Sequence, residues 1–306
     1  MNWFWFALIA LICWSGSDLF SKIGCCGEKD KTAHLKMVVA VGIVMGLHAA
    51  YMIVFHHVSV TWDVVWTYLP VSLLYILSMT LGYVGLRYIE LSISSPICNS
   101  SGALVAVLCL CTGALSDYNG PQKAVILCAV GLVCLGVVGL GVVEAREDDD
   151  LRRRRQEHAN RKYAKSWLAI CLPVAYCLLD AAGTFADSLV LERLNEDSAN
   201  VAYELTFLAA GIGCLVYLLV RREKFTFKAE LPKYVGAACE TVGQLFYIYA
   251  LADEEHVMMS APIISAYCVA SVLWSRLFLK EKLSWKHYLM IGFVVAGIVI
   301  LGIYDI

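Results

Sequence analysis

Ten apolar stretches, each close to the roughly 20 residues that cross a bilayer as a helix, fill almost the whole of this 306-residue chain. They run approximately Trp3–Ile23, Ala33–Phe55, Val64–Leu86, Ile93–Leu115, Ala124–Val143, Trp167–Leu191, Asn200–Val220, Pro232–Leu251, Val257–Leu279 and Trp285–Ile303. Hydrophobic residues make up 60% of the sequence and charged residues 16%, too little charge to dress that much apolar surface for water. In hydrocarbon every backbone amide must find its partner inside the protein, which leaves helices or a closed barrel. Barrel strands are about 10 residues long and alternate apolar with polar. These runs are about twice that length and do not alternate. The expectation is an all-α membrane protein of ten transmembrane helices.

Lys and Arg fall almost entirely in one set of loops. Those after spans 1, 3, 5, 7 and 9, with their flanks, hold 22 of the 24 basic residues, and Lys123 and Arg193 are the exceptions. Basic loops stay in the cytoplasm, so both termini are expected outside and the charged linker 144–166 inside. Within that linker Arg152 to Arg155 fix topology or touch lipid headgroups. No basic n-region or cleavage site marks Trp3–Ile23 as a signal peptide, and it reads as a retained helix. The 13 cysteines are scattered without metal-ligand spacing and read as packing. The vicinal pair Cys25-Cys26 has a redox alternative.

The chain repeats its own pattern. Leu69-Pro70 recurs as Leu231-Pro232, Asp18 as Asp180 and Trp14 as Tyr176, all 162 positions on. Pro96 and Asn99 recur as Pro262 and Ser265, 166 positions on. The domains expected are a first five-helix repeat over 1–143, the linker, and a second repeat over 167–306. An odd number of helices inverts the second repeat relative to the first. Inverted repeats recur in secondary transporters, with the binding site near the midplane where the halves meet.

The segment Arg276-Leu-Phe-Leu-Lys-Glu-Lys-Leu-Ser-Trp, followed by Gly292 and Gly297 in an apolar helix, resembles the end of an EamA-type repeat of the drug/metabolite transporter superfamily. In that pattern a Glu, here Glu281, follows the penultimate helix. Trp14-Ser15-Gly16 resembles the family's Trp-Gly signature in helix 1, displaced by one residue. After span 4 the first half reads Leu115-Ser-Asp-Tyr-Asn-Gly, without the Glu. The resemblance implies a ten-helix bundle in which helices 1–4 and 6–9 surround a cavity while helices 5 and 10 lie at the periphery.

Ionisable side chains inside a bilayer cost at least about 2.5–3.5 kcal/mol on insertion scales and persist where they face protein or water. Tyr176, Asp180, Thr184 and Asp187 share one helix face, as do Glu240, Gln244 and Tyr247. For Asp180 and Glu240 two readings stand: a buried interhelical hydrogen bond, or a substrate counter-ion and proton carrier. Asp18 lies between Trp14 and Lys22 at i±4 and either pairs with Lys22 or faces a cavity. Glu204 reads as a helix N-terminal carboxylate, and His48 as hydrogen-bonded packing. Ser94-Ser95-Pro96 with Asn99, and Ser260-Ala-Pro262 with Ser265 and Tyr267, predict paired bends around one site or a Ser-rich seam. Trp3, Trp5, Trp66 and Trp285 read as interfacial anchors. Trp14, Tyr83, Tyr176, Tyr247 and Tyr267 lie deeper, and aromatic faces beside carboxylates suit a cation.

The candidate substrate-binding set is therefore Trp14, Asp18, Tyr83, Asn99, Tyr176, Asp180, Glu240, Gln244, Tyr247, Ser265 and Tyr267, with Asp180 and Glu240 as proton-coupling candidates. The expected partners are a small organic cation or zwitterion and the lipid bilayer. No cofactor, metal or nucleic acid is expected, and no P-loop is present. A neutral amino acid or sugar-like substrate is the alternative. An intramembrane enzyme or a sensor is a remote one, since neither a His-Glu-x-x-His nor a Gly-x-Ser-x-Gly arrangement occurs.

Overall fold

A computed structural model describes residues 2–25, 30–88, 91–116, 118–145, 167–279 and 283–304. The linker, Cys26 and Glu281 lie outside the described residues. The fold is all-helical, 87% helix with no strand among the described residues. Among the described residues twelve α-helices follow in order: α1 (Trp3–Cys25), α2 (Ala33–Phe55), α3 (Trp62–Tyr88), α4 (Leu91–Cys98), α5 (Ser101–Cys111), α6 (Gly120–Ala145), α7 (Trp167–Leu191), α8 (Glu196–Val220), α9 (Phe227–Leu251), α10 (Val257–Ser265), α11 (Tyr267–Leu279) and α12 (Trp285–Tyr304). Nine segments among the described residues are long and apolar enough to cross a membrane. The remaining long helix, α9, carries Lys228, Glu230 and Lys233 in its first turns and Glu240 at its middle.

Spans 4 and 9 are each broken three or four residues after their proline. The first breaks at Asn99-Ser100 between α4 and α5, the second at Ala266 between α10 and α11. Proline removes the amide that would bond the carbonyl four residues back. Around the first break side chains take up the loosened carbonyls: Asn99 Nδ2 donates to Ser95 O (2.8 Å) and Ser100 Oγ to Pro96 O (2.9 Å). At the second, the Ala266 amide turns back to the carbonyls of Pro262 and Ile263 at 3.0 and 3.1 Å.

The main pairings are α1 on α9, α2 on α8, α3 on α7, α6 on α12, and α4 and α5 on α10 and α11, with α4 also against α6 and both halves of span 4 against α7. The α2–α8 crossing is a backbone contact. A Cβ placed on Gly42 would lie 2.8 Å from the Phe207 carbonyl oxygen and 3.0 Å from Gly211 Cα, so only glycine fits. Helices α2 and α8 also end alike, each followed by a non-glycine residue in the left-handed region, His57 and Arg222, both at φ 55°. The α8 N-terminus is capped by Asn195, whose Oδ1 accepts from the amides of Asp197 and Ser198. Trp5, Trp66 and Trp285 face outward as anchors would, whereas Trp3 is buried and stacks on the His256 ring at 4.9 Å.

Candidate functional site

Helices α1, α3, α4, α7, α8, α9 and α11 enclose a cavity of about 690 Å³ of space between atoms, its mouth included. No lining residue comes from α6 or α12, the pair that packs on itself at the edge of the bundle. Of the expected residues, Trp14, Asp18, Tyr83, Tyr176, Asp180, Glu240, Gln244 and Tyr267 line this one space. Among the described residues its wall includes no Lys, Arg or His.

Each carboxylate is steadied by serine. Ser95 Oγ (2.6 Å) and Ser271 Oγ (2.9 Å) both donate to Asp18 Oδ2, so Asp18 faces the cavity and bonds these hydroxyls. Ser101 Oγ donates to Asp180 Oδ2 at 2.7 Å, and Ser17 hydrogen-bonds Glu240. Asp18 and Asp180 thus hang from the two arms of the broken span 4, Ser95 before the break and Ser101 just after it. Aromatic rings complete the wall. Trp14 stacks near Tyr247 (4.9 Å between centroids) and meets Tyr267 edge-on at 5.8 Å.

Three expected residues stand off the wall. The Asn99 side chain bonds Ser95 O and Ser95 Oγ of its own span and, behind the wall, the cavity-lining Tyr267. Ser265 lies in the α5–α10 crossing, where its side chain occupies the space a Cβ on Gly102 would need. Tyr247 backs the wall, donating to Thr184 Oγ1 (2.9 Å) and pairing with the Tyr75 hydroxyl. Tyr75, Tyr203 and Ser17, which line the cavity, carry no charge or sequence motif that singles them out, whereas Ser95, also on the wall, belongs to the Ser94-Ser95-Pro96 cluster.

Two polar layers flank the cavity. Along α7, seven residues or about 10 Å beyond Asp180, Asp187 is fully buried. Tyr68 donates to its Oδ1 (2.8 Å) and Tyr75 to its Oδ2 (3.3 Å). The second layer lies ten residues before Glu240 on α9, about 15 Å away. There Lys36 Nζ meets Asp30 Oδ2 (2.7 Å), the Lys224 carbonyl (2.8 Å) and Glu230 Oε1 (3.7 Å), while Lys233 Nζ meets Glu230 Oε2 at 3.0 Å. Both lysines are buried. Burial raises the Asp30 carboxyl, but hydrogen bonds from Lys36 and Thr32 outweigh it and hold the group below the usual carboxylate range.

Glu204 is not a helix-end carboxylate. Helix α8 begins at Glu196, which puts Glu204 in its third turn, fully buried, with Oε1 2.7 Å from His48 Nδ1 of α2. Among the described residues no group of three His, Cys, Asp or Glu side chains is placed to hold a metal ion.

No curated protein matches the sequence. A crystal structure described only as that of a protein superposes with a TM-score of 0.65 at 13% identity, over 99% of this chain and 96% of that chain. At that identity the likeness is one of fold alone. Sequence adds what fold cannot: residues 167–303, the segment from α7 into α12, match the EamA-like transporter family, part of the drug/metabolite transporter superfamily.

Proposed function

We propose that this membrane protein is a secondary transporter that moves a small organic cation or zwitterion by alternating access. The observation that carries the reading is the composition of one cavity wall: Asp18, Asp180 and Glu240 from three helices, aromatic rings between them, and no basic side chain among the described residues. A wall of that kind attracts an ammonium group and holds it against ring faces. The tyrosine layer around Asp187 and the lysine layer around Glu230 lie on opposite sides of the cavity along the helices. They are the two closures that alternate.

The helix pairing supports two inverted five-helix repeats, 1–143 and 167–306, joined by the linker 144–166. A two-fold axis relating span k to span k+5 sets spans 2 and 7, 4 and 9, and 5 and 10 on themselves. It also converts the pairing of spans 1 and 8 into that of spans 6 and 3. Those are the principal contacts of the bundle. The matching left-handed residues His57 and Arg222 agree with the same symmetry. Loop charge favours both termini outside and the linker in the cytoplasm.

Asp180 and Glu240 are the proton-coupling candidates, being ionisable groups in apolar helices on the cavity itself. Reconstituted protein in liposomes, given a pH gradient and radiolabelled choline or ethanolamine, tests the reading. Uptake should depend on Asp180 and Glu240, and substrate-driven proton flux should vanish in Asp180→Asn or Glu240→Gln. Wild-type liposomes that move neither amine defeat the cation reading; unchanged proton flux in both variants defeats the coupling.

A further inference from the structure

The cavity has a second pole that carboxylates do not explain. Gln244 and Tyr83 line it and are 2% and 6% exposed, yet Gln244 Nε2 and the Tyr83 hydroxyl have no hydrogen-bond partner among the described residues. The same is true of Trp14 Nε1. Trp14 lines the same cavity as Gln244 and packs on Gly243, the residue before Gln244, where a Cβ would fall 2.7 Å from Trp14 Nε1. Buried donors are nearly always satisfied, and one left unmade is costly. Several orphaned donors around one cavity mark the place of an acceptor that arrives from outside.

Resting on the transport reading above, we infer that the cargo carries, besides its ammonium group, a neutral acceptor oxygen, a hydroxyl or a carbonyl, received by Gln244, Tyr83 and Trp14. Neutrality follows from the wall. With three carboxylates and no cation among the described residues around the cavity, a cargo carboxylate meets repulsion. Spacing follows from the helix. Glu240 and Gln244 are one turn apart on α9, about 6 Å along its axis, so ammonium and oxygen sit a few bonds apart. The class is amino alcohols and amines bearing an amide or ketone oxygen. Plain alkylamines and amino acids fall outside it.

Isosteric probes isolate the oxygen. Choline differs from propyltrimethylammonium by a hydroxyl in place of a methyl, and from glycine betaine by the charge on its oxygens; ethanolamine and propylamine form the unmethylated pair. Binding to the full-length protein in detergent, read by calorimetry, should favour each hydroxylated cation over its alkyl isostere by about tenfold or more, with glycine betaine weaker than choline. In Gln244→Leu and in Tyr83→Phe the preference should shrink towards unity while alkyl-cation affinity holds. Two variants on different helices guard against one failing to fold. Equal or tighter binding of the alkyl isosteres to wild type overturns this inference and leaves the cation reading intact. Tightest binding by betaine overturns it too. Binding of none of the cations overturns both.

Discussion

Asp180 and Asp187 stand on one face of one helix, two turns apart, and are used in opposite ways. Asp187 has both oxygens bonded by tyrosines from α3 and no exposed surface. Asp180 has one oxygen bonded by Ser101, none on the other among the described residues, and a cavity in front of it. The lesson is that an intramembrane carboxylate declares its role by its spare valence. A fully satisfied one ties helices together, and a half-satisfied one is held in position for something else.

Substitution is the direct way to break this contrast. Asp187→Ala leaves the Tyr68 and Tyr75 hydroxyls facing a void, and should destabilise the detergent-solubilised protein by about 3 kcal/mol, seen as a lowered Tm. The next effect in size is on transport. Asp180→Asn should cut cation uptake about tenfold or more, equivalent to about 1.4 kcal/mol, while Tm moves little, because an amide still accepts from Ser101. An Asp180→Asn Tm as low as that of Asp187→Ala would erase the distinction.

Smaller changes sharpen it. Tyr68→Phe should cost about 1 kcal/mol of stability, and Tyr75→Phe less, since Tyr247 and Thr184 keep their own hydrogen bond at 2.9 Å. The smallest effect belongs to Asp30, a carboxylate at the membrane edge. Its folded pKa lies below the unfolded value of about 3.9. Its contribution is therefore present above that value and lost as pH falls through the lower folded one. The Tm gap between wild type and Asp30→Asn should close between about pH 5 and pH 3.

Much of the fold was legible because lipid permits so few solutions: apolar length gave the spans, and Pro96 and Pro262 gave the two breaks. The cavity was legible through its charges. Asp18, Asp180 and Glu240 are conspicuous in apolar helices because they are costly there. What sequence hid was rotation and partnership. The offset that aligns Asn99 with Ser265 fixes a register along the chain, but one residue turns a helix by about 100°, and neither side chain lines the cavity. Tyr68 and Tyr75 lie 119 and 112 residues from Asp187, so nothing local announces the contact. Lys36, Glu230 and Lys233 form a buried ion cluster that joins α2 to α9, and no spacing in the sequence links Lys36 to the other two. Glu204 was misplaced because Asn195, an N-cap, starts α8 earlier than hydropathy does.

In the transport cycle proposed above, a compartment whose described wall carries acids and no base makes the two half-cycles electrically unequal. Loaded, the acids cross with a counter-charge aboard; vacant and ionised, they drag negative charge through the membrane voltage, at about 2.3 kcal/mol per elementary charge for each 100 mV. On that proposal the unloaded reorientation is the voltage-sensitive step, and hydrogen ions entering the vacant compartment are the simplest means of cancelling it.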